Sequence, residues 1–102
     1  MSTNIRMIYS EGNDVYIYSH WGGPEFKEKV RKALNRHTRW DDESYLAAII
    51  IREVLRDEIE SDTGFGVSPY SEEEDYETTV VDFAAKTVNG ISFQEFIDER
   101  QT

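Results

Sequence analysis

The sequence lacks cysteine, and it has no long apolar run. Without thiols the chain has no disulfide, no zinc–thiolate centre and no cysteine nucleophile, so packing must stabilise the fold. The longest apolar run, residues 46–51, is far below the roughly 18 residues that span a bilayer. Residues 1–7 also lack the charged and apolar regions of a signal peptide. We therefore predict a cytoplasmic protein that makes no membrane contact.

Basic residues are scarce, and their distribution along the chain is uneven. There are 11 Lys and Arg against 21 Asp and Glu, a formal net charge of −10. Residues 1–40 hold seven basic and four acidic side chains, whereas residues 41–102 hold four and seventeen, a balance of −13. Because such a surface repels duplex DNA, no direct nucleic-acid binding is expected. A basic protein partner fits this charge better, although acids that only confer solubility are the plainer alternative.

The apolar content is sufficient for one hydrophobic core. Two Trp, six Tyr and five Phe residues supply large apolar side chains, each able to bury about 150 to 250 Å². A chain of 102 residues has the size of one domain, so we predict a single domain over residues 1–102.

The hydrophobic pattern predicts the element order ββαα(β)ββα. Strands are expected at residues 5–10, 15–19, 77–83 and 86–91, a short edge strand at 65–70, and helices at 24–35, 41–60 and 93–100. Asp41 or Asp42 is the expected N-cap of the second helix and Ser92 that of the third, while the basic side chains of the first helix are expected in solvent. This order favours an α+β fold. We expect an antiparallel or mixed sheet of four to five strands, with two main helices packed on one face and a short C-terminal helix.

The turn before the first helix is a candidate ligand-binding segment. It consists of His20, Trp21, Gly22 and Gly23. Free N–H groups at a helix start can hold an anion, and two glycines allow a ligand close to the backbone. Together with Arg39 and Trp40 as stacking and anion-holding groups, the turn predicts a site for a small nucleotide-like ligand. A tight turn with Trp21 in the core is the simpler interpretation, because Gly-Gly alone matches no phosphate-binding motif.

Two adjacent carboxylates, Asp41 and Asp42, open the second predicted helix. Paired carboxylates can bind a divalent cation or act as acid and base, but capping explains both residues without chemistry. The only histidines, His20 and His37, are not at zinc-ligand spacing. We therefore predict a protein that is not an enzyme and has no cofactor and no metal. Hydrolysis through Asp41, Asp42 and His20 is a minor alternative.

The sequence SEEEDYE at residues 71–77 is the most acidic stretch of the chain. Its acids can imitate a row of phosphates or bind a basic groove, although a solvated loop is the simpler description. The expected partner-binding residues are Glu72, Glu73, Glu74 and Asp75.

Several motifs together resemble one protein family. These are VYIYSHWGG at residues 15–23, RWDD at 39–42 with YLA at 45–47, TGFGVS at 63–68 and VVD at 80–82. They are similar to those of a family of small uncharacterised proteins from phages, archaeal viruses and prophage-bearing microbial genomes. The resemblance spans most of the chain, and it carries over no activity and no catalytic residue.

The viral setting of that family implies action on host machinery by binding, for example as an inhibitor of host defence. We therefore expect a virus- or mobile-element-encoded accessory protein, located in the host cytoplasm, that binds a host protein through its acidic half. A nucleic-acid-binding protein is the partner class that its charge suits best. The alternative is the nucleotide-like ligand site at His20–Gly23 and Arg39–Trp40, and homodimer formation is left open.

Overall fold

In a computed structural model, the chain folds into a mixed six-stranded sheet and three helices, which is the α+β class expected from the sequence. The structure describes residues 3–19, 24–56, 65–69 and 77–99. The strands are β1 (Thr3–Ile8), β2 (Asp14–Ser19), β3 (Phe65–Ser68), β4 (Glu77–Asp82), β5 (Thr87–Val88) and β6 (Ile91–Ser92). The helices are α1 (Pro24–Leu34), α2 (Glu43–Leu55) and α3 (Phe93–Asp98). None of the described helices is long and apolar enough to cross a bilayer.

The strand order in the sheet is β3-β2-β1-β4-β5-β6. β1 lies near the centre, where it pairs antiparallel with β2 and parallel with β4. The other pairs of neighbouring strands are antiparallel. β3 is an edge strand, as expected from Pro69, which follows its last residue and has no N–H to donate.

The predicted pairing of residues 86–91 with the preceding strand is confirmed at Thr87 and Val88, but the prediction of one continuous strand is wrong, because the chain turns back in its middle. β5 and β6 pair antiparallel across Asn89 and Gly90. These two residues have φ angles of 51° and 88°, which is the pattern of the type I′ turn that Asn-Gly favours. The sheet therefore has six strands rather than four to five.

One face of the sheet forms the hydrophobic core together with the helices. Ile5 and Met7 of β1 and Ile17 of β2 are completely buried on this face. The helices contribute apolar stripes at the expected spacing of three and four residues. The buried helix residues include Phe26, Val30, Leu34, Leu46, Ile50, Val54, Phe93 and Phe96.

The predicted helix caps are confirmed for α2 and α3. Asp42 Oδ1 accepts a hydrogen bond from the Tyr45 N–H, and Ser92 Oγ accepts one from the Glu95 N–H at 3.1 Å. These bonds satisfy N–H groups that a helix start otherwise leaves unpaired. α2 is described as far as Leu55, so the predicted extension to residue 60 lies outside the described residues.

Arg31 connects α1 to the C-terminal helix. Contrary to the expectation of a solvated basic face, it is only 8% exposed. Its Nε donates to the Phe96 carbonyl at 2.9 Å, and its guanidinium lies 4.4 Å from the centre of the Phe96 ring. Glu28 and Glu99 supply the opposite charge. Because α3 has only six residues, these contacts and its three buried apolar side chains hold it in place.

Gly66 in β3 leaves room for the ring of Tyr18. The two residues are cross-strand partners in the β2–β3 ladder. A Cβ atom at position 66 would lie 2.2 Å from Cε1 and 2.3 Å from Cζ of Tyr18. The tyrosine ring therefore lies against the backbone of the edge strand, in space that any side chain at position 66 would fill.

We predict that Gly66→Ala destabilises the fold by about 1–3 kcal/mol, the usual cost of overpacking, because its Cβ would overlap the Tyr18 ring. Urea unfolding of the variant and of the native chain measures this difference in the free energy of unfolding. In a Tyr18→Ala background, the same substitution should stabilise by about 0.4–1 kcal/mol, because alanine restricts the unfolded chain. An equal cost in both backgrounds would contradict the contact.

Candidate functional site

Two of the residues predicted from the sequence to bind a ligand, Arg39 and Trp40, lie in the described structure. Nine further described residues line the two recesses beside them, as given below. The remaining predicted residues lie outside the described ranges: His20, Trp21, Gly22 and Gly23 of the ligand turn, and Glu72, Glu73, Glu74 and Asp75 of the acidic stretch. The site is therefore built from the loop at residues 35–42, between α1 and α2.

The loop leaves α1 through a tight backbone turn. The His37 N–H donates to the Leu34 carbonyl at 3.0 Å, and the Asp42 N–H donates to the Arg39 carbonyl at 3.0 Å. His37 and Arg39 have φ angles of 54° and 64°, a left-handed conformation that costs a residue with a side chain about 1 kcal/mol or more. Other contacts in the loop must offset this strain.

Trp40 supplies these contacts. Its indole N–H donates to the Leu34 carbonyl at 3.2 Å, and its ring meets that of Phe93 edge-on, with 5.3 Å between the ring centres. The His37 ring stacks on the indole at 5.1 Å, and His37 Nε2 lies 3.2 Å from Gln94 Oε1. Trp40 therefore anchors the loop to α1 and α3, and His37 covers part of its ring.

Arg39 faces outward on the same loop. Its guanidinium carbon lies 4.8 Å from the ring centre of Tyr45, which is 57% exposed. No described carboxylate forms an ion pair with Arg39. The pair therefore presents a cation and an aromatic ring side by side at the surface.

Two adjacent open recesses flank Trp40. They share Trp40, Asp41 and Asp42. The larger recess, of about 560 Å³, is completed by His37, Thr38 and Arg39. The smaller one, of about 390 Å³, is completed by Ser10, Glu43, Phe83, Ala84 and Lys86.

The carboxylates around the smaller recess have separate structural partners. Asp41 is exposed and lies 3.3 Å from Lys86 Nζ, whereas Asp42 caps α2. Glu43 accepts hydrogen bonds from the Ser10 N–H at 2.9 Å and from the Ser10 hydroxyl at 3.0 Å. Within the described ranges, no three His, Cys, Asp or Glu side chains are grouped so that they could hold a metal ion.

Tyr9 lies beside the smaller recess. Its ring stacks on Phe83 with 5.2 Å between the ring centres. Burial raises the pKa of the Tyr9 phenol above the ordinary value, and the negative charge of Glu43 raises this pKa further. The region thus favours the neutral phenol.

Sequence reasoning missed the parts of this site that come from distant segments. Ser10 and Glu43 are 33 residues apart, and Lys86 meets Asp41 only through the β4–β5 turn. No local sequence pattern predicts either contact. His37 is different, because it lies three residues before Trp40 in the same loop, and an aromatic pair at that spacing was visible.

We predict that Tyr9 ionises at higher pH than a free tyrosine. Because its folded pKa lies above the ordinary 10.0, its contribution to stability is complete below that pH and is lost as the pH rises through the folded value. An ultraviolet titration of phenolate absorbance, compared with Tyr9→Phe, identifies this group.

The two causes of this shift can be separated. Glu43→Gln should lower the Tyr9 pKa only partly, since burial is the larger cause, whereas Glu11→Gln in the nearby turn serves as a control that leaves it unchanged. A complete return to 10.0 in Glu43→Gln would contradict the dominant role of burial.

Arg39 and the partly covered Trp40 of the loop thus line an open recess, and Tyr45 of α2 lies against Arg39. No protein family, no curated protein and no solved structure matches this chain.

Proposed function

We propose that this chain is an accessory protein that acts by binding another protein through its acidic half, as the predicted viral or mobile-element origin implies. The observation that carries the proposal is the separation of charge along the chain. Residues 57–85 contain ten Asp and Glu and no Lys or Arg. A stretch of this kind attracts a basic surface over long range and repels nucleic acid.

Four basic side chains of the described residues form ion pairs with acids that lie outside this stretch. Arg6 pairs with Asp14 at 2.6 Å, and Lys32 and Arg56 both pair with Glu53. Arg31 is held by Glu28 and Glu99. These four cations are paired with acids outside residues 57–85.

The partner class follows from this charge. A host protein whose working surface is basic, such as one that binds nucleic acid, is complementary to an acidic stretch. Occupation of that surface would exclude the nucleic acid. Inhibition of a host function by this route requires no catalysis.

We predict that Glu72→Lys with Glu74→Lys strongly reduces capture of the host partner by the tagged protein. Reversing two charges should weaken binding about tenfold or more, which corresponds to at least about 1.4 kcal/mol. Copurification from host cells, with the captured protein identified by mass spectrometry, is the measurement.

The matched control reverses two acids in other parts of the surface. Glu11→Lys with Asp98→Lys changes the net charge equally, and both side chains are exposed. The control should retain the partner. Equal retention by both variants, or equal loss, would show that binding does not depend on the acidic stretch.

A second candidate function is binding of a small nucleotide-like ligand at the larger recess. The observation that favours it is the Arg39 guanidinium, which rests on Tyr45 beside a recess of about 560 Å³. Ligand pockets commonly have volumes of about 300–1,000 Å³. A phosphate would pair with Arg39, and a base would stack on the exposed tyrosine.

A panel of nucleotides in a thermal unfolding assay tests this candidate. At about one hundred times Kd, a ligand stabilises the fold by about 2.7 kcal/mol, which raises Tm by roughly 10 °C or more for a chain of this size. Arg39→Ala should remove the shift, whereas Arg36→Ala, which changes an exposed arginine in the same loop, should keep it. No shift with any nucleotide would exclude the ligand function.

A further inference from the structure

The outer edge of β3 carries main-chain groups that face away from the sheet. The Tyr9 N–H donates to the Asn13 carbonyl at 2.8 Å, which sets the alternation of the β1–β2 ladder. It follows that the main-chain N–H and C=O groups of Ile17 point toward β1, whereas those of Tyr16 and Tyr18 point toward β3.

The same alternation orients the residues of β3. Gly66 and Ser68 are the partners of Tyr18 and Tyr16, so their main-chain groups point inward. The N–H and C=O groups of Phe65 and Val67 therefore point outward. Within the described part of the chain, no strand pairs with this side of β3.

The side chain of Val67 is unusually exposed for a hydrophobic residue. Among the large hydrophobic residues that the structure describes, only Val67 and Tyr45 are exposed, each to 57%. Val67 lies beside Ile17, whose side chain is buried in the core. An additional strand at this edge would cover Val67 and continue the apolar face of the sheet.

The charge of the segments beside β3 indicates which kind of additional strand would bind there. Residues 57–64 and 70–76, which precede and follow β3, contain four acids each and no Lys or Arg. Because both segments adjoin β3 in the sequence, a basic partner segment is the complementary one.

We propose that β3 binds an extended segment of the partner as an additional strand. The segment carries a β-branched apolar residue beside Val67 and Lys or Arg on both sides of the paired residues. This inference rests on the proposed function and specifies how the acidic half would hold a basic partner. A second copy of this chain is a poorer occupant, because pairing β3 with itself would bring two acidic stretches together.

The test uses the whole protein and a labelled peptide, KRKVTVTVKRK, with fluorescence polarisation as the readout. A second peptide of the same sequence carries N-methyl groups on its five central residues, which removes main-chain donors but no charge. We expect the methylated peptide to bind at least about tenfold more weakly. An acidic peptide, EDEVTVTVEDE, should not bind.

Two variants of the protein test the hydrogen bonds that β3 would form with the peptide. Val67→Pro removes an outward N–H without changing charge, and Val67→Thr keeps this N–H and the β-branched shape. We expect Val67→Pro to bind the first peptide about tenfold more weakly and Val67→Thr to bind it almost as well as the native chain does. Hydrogen exchange supplies a direct readout, because the Val67 amide should become protected when the peptide binds.

Each other outcome overturns the inference. If both basic peptides bind equally and the Val67 amide stays unprotected, binding depends on charge alone, and the proposed function stands without strand pairing. If neither basic peptide binds, β3 does not accept a basic strand, and the copurification experiment decides the proposed function separately. If the protein sediments as a dimer with the Val67 amide already protected, the occupant is a second copy.

Discussion

The parallel pairing of β1 with β4 is the constraint on which the rest of the fold depends. It joins Thr3–Ile8 to Glu77–Asp82, segments more than 70 residues apart in the chain. With β2 on its other side, β1 has no free edge, and Ile5 and Met7 become completely buried. The helices pack against the face that these side chains form, and β5, β6 and α3 extend the structure from β4. The same pairing joins a strand from the acid-rich second half of the chain to a strand from the more basic first half.

Local features of the fold were predictable because short-range chemistry determines them. The hairpin of β1 and β2, the start of α1 at Pro24 and the caps at Asp42 and Ser92 depend on residues a few positions apart. The Asn89–Gly90 turn was equally local, yet it was read as part of one strand because the flanking β-branched residues suggested continuity. The strand order was not predictable, since it follows from pairing between distant segments. Arg31 was expected in solvent because its burial depends on α3, 65 residues later in the chain.

The candidate site shows the same division. Arg39 and Trp40 were identified from their residue types, and the structure places both at a recess. Their orientations depend on left-handed backbone at His37 and Arg39, for which the sequence contains no glycine as a signal. Asp41 and Asp42 suggested a carboxylate pair because they are adjacent, but successive side chains at a helix start point in different directions. Asp41 pairs with Lys86 and Asp42 caps α2, so the two carboxylates do not converge on one site although they are adjacent in the sequence.

The strand order also has a consequence for the newly made chain. β1 and β2 leave the ribosome before β4 and can form their hairpin early, but one edge of β1 stays open until residue 82 has been synthesised. During that interval a strand with two strongly apolar side chains has no partner on one side, and such edges favour aggregation. Closing the sheet also requires contact between distant segments, a step that slows folding. The acids at residues 57–85 emerge during the same interval, and their mutual repulsion between nascent chains would keep the unfinished sheets apart.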